Sequence, residues 1–195
     1  MPKKFDSHDF SPRSGTRTCI LLMGVSGAGK TTVGKALAHD LGWRSIDADD
    51  FHTPAAIEKM SSAIPLTDED RYPWLDRVRA AAIAELESGS PGSPGVVVAC
   101  SALRAEYRKR LLKNGLRVLF VHLALTPTQA EVRMLGRVGT PSGFVMPPEL
   151  CASQFAALEP PQGHEGAGCL EVDATEPVAS LVARIRAWLE TTIRD

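Results

Sequence analysis

The chain has 195 residues, 44% of them hydrophobic and 23% charged, with a formal net charge of −1, which is the profile of an ordinary globular protein able to bury one core. So balanced a charge offers no general attraction to nucleic acid or to an anionic membrane surface, and no apolar run approaches the roughly 20 residues of a membrane span. Four scattered cysteines, Cys19, Cys100, Cys151 and Cys169, show no C-x-x-C spacing, which argues against a zinc site or redox pair and for buried thiols in a cytoplasmic enzyme.

Residues 1–17 are polar and rich in Pro and Ser; they read as a loose tail, not a secretory signal, ahead of a single domain over 18–195. A first strand is predicted over 18–23. It runs into Gly24-Val25-Ser26-Gly27-Ala28-Gly29-Lys30-Thr31, which fits G-x-x-x-x-G-K-[ST]. Glycines let backbone N–H groups turn inward around phosphate oxygens, and the helix that follows points its positive end at the same place. Lys30 can reach the β- and γ-phosphates, and the Thr31 hydroxyl can ligate Mg²⁺. That helix carries Val33, Leu37 and Leu41 on one face, with Gly42 as its stop. A short second strand, 43–47, ends in the cluster Asp47-Ala48-Asp49-Asp50.

A polar, Pro-punctuated segment extends to Asp70, and a helix over 74–87 places Leu75, Val78, Ala82 and Leu86 on one stripe. Residues 88–95 are a Gly/Ser/Pro connector, and 96–100 is a continuously apolar strand buried on both faces. A basic helix follows, then a strand over 118–123. Thr126-Pro127-Thr128-Gln129 has the form of a capped helix start. A last strand spans 170–173, and the closing helix carries Val178, Leu181, Val182, Ile185, Trp188 and Leu189.

Alternating strands and helices predict an α/β fold, a parallel sheet with helices on both faces. Ligands in such sheets sit at the carboxyl ends of the strands, where the glycine loop, the acidic cluster and Cys100-Ser101 would converge. Phosphoryl transfer needs one group beside the metal and another to take the proton of the acceptor hydroxyl; Asp47 and Asp49 suit these tasks, although Asp is also common in helix caps. Arg133 and Arg137, four apart on a helix, project from one face ahead of a Gly/Pro-rich stretch at 139–148 that could fold over the nucleotide, and guanidinium forks suit phosphate oxygens. Arg71, Arg104 and Arg108 are surplus cations on the acceptor side and point to an anionic substrate, though each could equally be an exposed salt-bridge partner. His52 alone is more often a structural hydrogen-bonder.

The blocks GVSGAGKTT, DADDFHTPAAIEKM, IPLTDEDRYPWL, VVVACSALRAEYRKRL and SQFAALEPP together resemble the gluconokinase family of small P-loop kinases, over 19–161. The resemblance implies a three-layer P-loop fold with a five-stranded parallel sheet, a substrate-binding region over about 49–75 and a mobile lid over about 133–148. It implies transfer of the γ-phosphoryl of ATP to the 6-hydroxyl of D-gluconate, with Mg²⁺, in a homodimer. Residue by residue, Gly24, Val25, Ser26, Gly27, Ala28, Gly29, Lys30, Thr31, Thr32, Arg133 and Arg137 would bind ATP. Thr31 and Asp47 would hold the metal. Asp49, His52, Arg71, Ser101, Arg104 and Arg108 would contact the acceptor, and Lys30, Asp49 and Arg137 would be catalytic. The segment over 173–177 is where the family places the adenine.

Departures from the family pattern fall at Thr53 and Ala56, where H-P-x-x-N is usual, at Ala63, where Gly is usual, and in a longer lid without its histidine. Two other readings of the same residues are a kinase for another sugar acid or a shikimate-like acceptor, and a nucleotide-dependent switch. A switch has no need of the acidic pair together with acceptor-side arginines.

Overall fold

The computed structural model of the protein describes residues 17–88, 95–113, 116–136, 146–163 and 165–193. Of the expected tail over 1–17, residues 1–16 lie outside the described residues, as do most of the connector before the third strand and residues 137–145 of the expected lid, Arg137 among them. Five strands, β1 (Thr18–Met23), β2 (Arg44–Asp47), β3 (Gly95–Ala99), β4 (Arg117–Ala124) and β5 (Cys169–Asp173), form one sheet in the order β2-β3-β1-β4-β5, every neighbouring pair parallel. All five carboxyl ends therefore share one edge.

The period of two along each strand divides the core. Ile20, Leu22, Val97, Leu119 and Val121 face α1 (Lys30–Leu41) and α7 (Val178–Thr192), whose Val33, Leu37, Leu181, Ile185 and Leu189 complete that layer. Cys19, Leu21, Met23, Val96, Val98, Val118 and Phe120 face α3 (Asp68–Ser88) and α4 (Ala105–Leu111) through Trp74, Leu75, Val78, Ala82, Tyr107 and Leu111. This is the expected sandwich of a parallel sheet between two helical layers. The capping box at Thr126 and Gln129 opens α5 (Pro127–Leu135) as predicted, and α6 (Cys151–Ala157) follows it.

The polar segment before Asp70 is more ordered than its composition indicates. It contains a 3₁₀ turn over 48–51 and a further helix, α2 (Pro54–Ser61), and α3 begins at Asp68, six residues before the expected start. Pro73 is the reason for the difference. A proline usually marks a helix boundary, but here Thr67 and Asp70 fix the helix start before it: Thr67 donates its N–H (3.0 Å) and its hydroxyl (3.2 Å) to Asp70 Oδ2. Three acidic side chains in the first turn complement the helix dipole. In α2, Thr53 is the N-cap, its side chain accepting the Ala56 N–H at 3.2 Å, with Pro54 at the first helical position. The substitution at 53 thus creates a cap.

At the other end of α2, Ala63 has φ 57°. Its N–H bonds to the Met60 carbonyl, and the next N–H, from Ile64, bonds to the Lys59 carbonyl at 2.9 Å. This is a Schellman closure with alanine at the left-handed position that glycine prefers. Ala63→Gly is expected to raise stability by about 0.5–1 kcal/mol, since the relief of backbone strain exceeds the added chain entropy. A urea melt checks this; an unchanged or lowered midpoint would contradict it.

Candidate active site

β1 runs directly into the glycine loop. Gly24 has φ 138°, and a Cβ there would stand 2.7 Å from the Leu123 carbonyl; no other residue fits. Gly29, at φ 89°, is the N-cap of α1, so the first turn of that helix presents its N–H groups to the cavity in front of the loop. Four links hold the loop in shape. The Gly24 N–H donates to the Ser101 carbonyl (3.3 Å), and Lys30 Nζ folds back to the Val25 carbonyl (3.0 Å). Arg133 donates to the carbonyls of Gly27 (3.2 Å) and Ala174 (2.9 Å). Gln154 accepts the Ser26 N–H at 2.7 Å and donates to Ser26 Oγ at 2.9 Å.

Across the cavity stands the acidic corner. Thr31 Oγ1 donates to Asp47 Oδ2 at 2.7 Å, while Asp47 Oδ1 accepts the Asp49 N–H at 3.1 Å. Asp47 is therefore hydrogen-bond partner of Thr31 and cap of the 3₁₀ turn at once, which is the capping arrangement open to it in the sequence. The turn is gripped by α3: Trp74 Nε1 donates to the Ala48 carbonyl (2.7 Å) and Arg77 Nε to that of Phe51 (3.0 Å). His52 stacks on Trp74 with ring centroids 4.5 Å apart, and its Nε2 lies 4.0 Å from Asp49 Oδ1. Burial, together with the cations Arg71 and Arg77, pushes the His52 imidazole down to about 4, so the ring is neutral at ordinary pH. Cys100, at the end of β3, is pushed up to about 12 by burial and remains a thiol.

Thr31 and Asp47 supply two hard oxygen donors, and among the described residues no group of three His, Cys, Asp or Glu side chains could cage an ion. So sparse a donor set suits Mg²⁺, which keeps several waters and takes the rest of its shell from phosphates.

These pieces meet around one cavity of about 490 Å³, lined by Ser26, Gly27, Gly29, Lys30, Thr31, Thr32, Asp47, Asp49, His52, Arg71, Ser101 and Arg133, with Met60, Leu103, Met146 and Gln154. Strands far apart in sequence have thus delivered the glycine loop, the acidic pair and Ser101 to one place. Arg71 lines the cavity, its guanidinium 5.7 Å from the centre of the Tyr107 ring; Arg104 lies 5.8 Å from the same centre and is paired with Asp68. Arg104 does not line the cavity. Neither does Arg108, which the residue pattern placed on the acceptor. Its side chain is fully buried, with Nε and Nη2 on Glu165 (2.5 and 2.8 Å) and Nη1 on the carbonyls of Ala102, Leu103 and Glu159. On α4, position 108 faces the core, and a guanidinium there must satisfy its five donors inside the protein. Gln154 and the apolar Met60, Leu103 and Met146 are lining residues that sequence reasoning missed. Gln154 reaches Ser26 across 128 positions, and no spacing rule spans such a gap.

A family model for shikimate kinase matches residues 26–141. A gluconokinase of Gluconobacter oxydans (strain 621H) is 40% identical over 146 residues, 75% of this chain and 78% of that protein. The thermosensitive gluconokinase of Escherichia coli (strain K12) is 38% identical over 167 residues, 86% and 84% of the two chains. The crystal structure of a gluconokinase from Sinorhizobium meliloti 1021 superposes with a TM-score of 0.71 at 37% identity, covering 92% of this chain and 95% of the other. With the glycine loop, the acidic pair and Arg71 already on one cavity, these likenesses are decisive: the chain belongs to the gluconokinase family of shikimate kinase-like P-loop kinases.

Proposed function

We propose that the protein transfers the γ-phosphoryl group of ATP to the 6-hydroxyl of D-gluconate, giving 6-phospho-D-gluconate and ADP. The observation that supports this reading is the shared cavity, lined by Lys30 and Thr31 together with Asp49 and Arg71; we take the first two as the donor side and the last two as the acceptor side. The bond from the sugar oxygen to Pγ forms as the bond from Pγ to the β,γ-bridging oxygen breaks, and the hydroxyl proton passes to the Asp49 carboxylate. Lys30, with the N–H groups of residues 27–32, holds the phosphates and offsets the charge that develops on them. Bound by Thr31 and Asp47, Mg²⁺ would neutralise the β- and γ-oxygens. Arg71 holds the gluconate carboxylate, with Arg104 one ring away across Tyr107. Ser101 and the neutral His52 supply hydrogen bonds to the polyol.

Arg133 now bridges the glycine loop and the Ala174 carbonyl, so it already joins the phosphate site to the segment over 173–177 where the adenine is expected. Arg137, beyond the described residues, would close over the transferring group. A homodimer and a cytoplasmic location complete the reading; the four free thiols support the latter.

Lys30→Ala is expected to lower kcat roughly 10²–10³-fold without unfolding the protein, measured as gluconate-dependent ADP release beside a thermal melt; a near-normal rate would contradict its role. Asp49→Asn should lower kcat about 10²–10⁴-fold while ATP affinity holds, and a loss confined to ATP binding would move Asp49 to the metal. Because its folded pKa is depressed, His52 takes up no proton between pH 5 and 8, so His52→Gln should leave the shape of the pH–rate profile unchanged. A limb near pH ~6.5 that disappears in this variant would refute the neutral assignment. A panel of aldonic acids, shikimate and no acceptor tests the substrate itself.

A further inference from the structure

The chain from α6 to Glu165 touches both halves of the site, at two separate points. On the donor side, Gln154 uses its amide oxygen and nitrogen together on Ser26. The loop it holds contains Gly27 and Gly29 at φ 83° and 89°, residues with much conformational entropy to lose. A two-point anchor keeps such a loop in its phosphate-accepting shape before the nucleotide arrives.

On the acceptor side, the wall Ser101-Ala102-Leu103 carries a strained residue. Ala102 has φ 40° and is completely buried, a backbone conformation that persists only where its surroundings over-determine it. The neighbours on either side, Ser101 and Leu103, are the two that line the cavity. What fixes the wall is Arg108, donating to the carbonyls of Ala102 and Leu103 (both 3.2 Å). Glu159 adds its N–H to the Leu103 carbonyl (2.9 Å) and its carboxylate to the Ala105 N–H (2.7 Å). The buried Arg108 charge is in turn held by both oxygens of Glu165, which is not among the residues lining the cavity.

We infer that this segment is a two-anchor positioning device: Gln154 sets the phosphate loop through Ser26, and Glu165 sets the acceptor wall through Arg108. Neither Glu165 nor Arg108 touches substrate, and both act through the carbonyls of residues 102 and 103. The inference rests on the gluconokinase reading for the identity of the acceptor, but not for the geometry.

The two anchors make opposite demands on the kinetics. Gln154→Ala is expected to raise the ATP KM about tenfold, the worth of roughly one lost hydrogen bond, and to weaken ADP binding by calorimetry to the same degree, with the gluconate KM within about twofold. Glu165→Asp keeps the charge but withdraws the carboxylate by one methylene. It should raise the gluconate KM about tenfold while leaving ADP binding and the ATP KM within about twofold; should this variant unfold, Glu165→Gln carries the same test. Both KM values rising together in either variant, with a lowered melting temperature, would mean general softening and would overturn the proposal. So would unchanged KM values in both. If the unaltered protein fails to phosphorylate gluconate, the functional reading falls instead, and the ADP-binding comparison still decides the two anchors.

Discussion

Thr31 Oγ1 reaches Asp47 Oδ2 at 2.7 Å, and this hydrogen bond ties the helix behind the glycine loop to the acidic corner. It exists because β1 and β2 run in the same direction on either side of β3, with Leu22 and Asp47 both registered to Ala99. The two strands therefore end level, and the loops that leave them face each other across a single strand's width. A shift of register by one residue would turn Asp47 to the other face of the sheet. The corner then has its own support. Asp47 caps the 3₁₀ turn, and Trp74, buried in the α3 layer, grips the Ala48 carbonyl. The Asp47 carboxylate and the turn that carries Asp49 are thus positioned from the hydrophobic core outward.

The side of the cavity proposed for the acceptor is built differently, from charge and aromatic contacts between α3 and α4. Tyr107 donates to Asp68 (2.6 Å), Tyr72 to Glu106 (2.9 Å), and Arg110 pairs with Asp76 while lying over the Tyr72 ring. Burial and the Asp68 carboxylate push Tyr107 up to about 12, so it remains a neutral donor. Within this framework arginines of similar appearance do different work. Arg71 opens into the cavity, Arg104 is tied at its margin, and Arg108 is sealed beneath the wall. Buried ion pairs of the Arg108–Glu165 kind stabilise little by themselves, since desolvation offsets their attraction. Their use here is directional, because a planar fork fixes the carbonyls that it touches.

Where the chain departs from the family pattern, local structure absorbs the change. Thr53, where the family pattern has proline, caps α2. Ala56 packs with Met60, Leu66 and Leu150 in a small apolar cluster beside the cavity, so an amide has been exchanged for hydrocarbon contact at that point. Ala63 accepts a left-handed conformation that costs about 1 kcal/mol or more, and α2 still closes because two backbone bonds hold it. These are changes in how the substrate region is held; the loop, the acidic pair and Arg71 are retained.

The sequence by itself determined the sheet, its five strands nearly to the residue, the glycine loop, the acidic pair and the family. Each of these is written in short-range pattern: a continuously apolar run for a buried strand, a motif of eight residues, Asp two places from Asp. Tertiary structure alone decided three other matters. It placed Gln154 on Ser26 and Glu165 on Arg108, because contacts across 128 and 57 positions depend on how layers stack, not on spacing. It carried α3 through Pro73, because Lys59 of α2 pairs with Asp70 ahead of the proline (2.8 Å) and Trp74 just after it packs into the core. And it divided the arginines between cavity and core, because the face of a helix on which a cation lies is fixed by what that helix packs against.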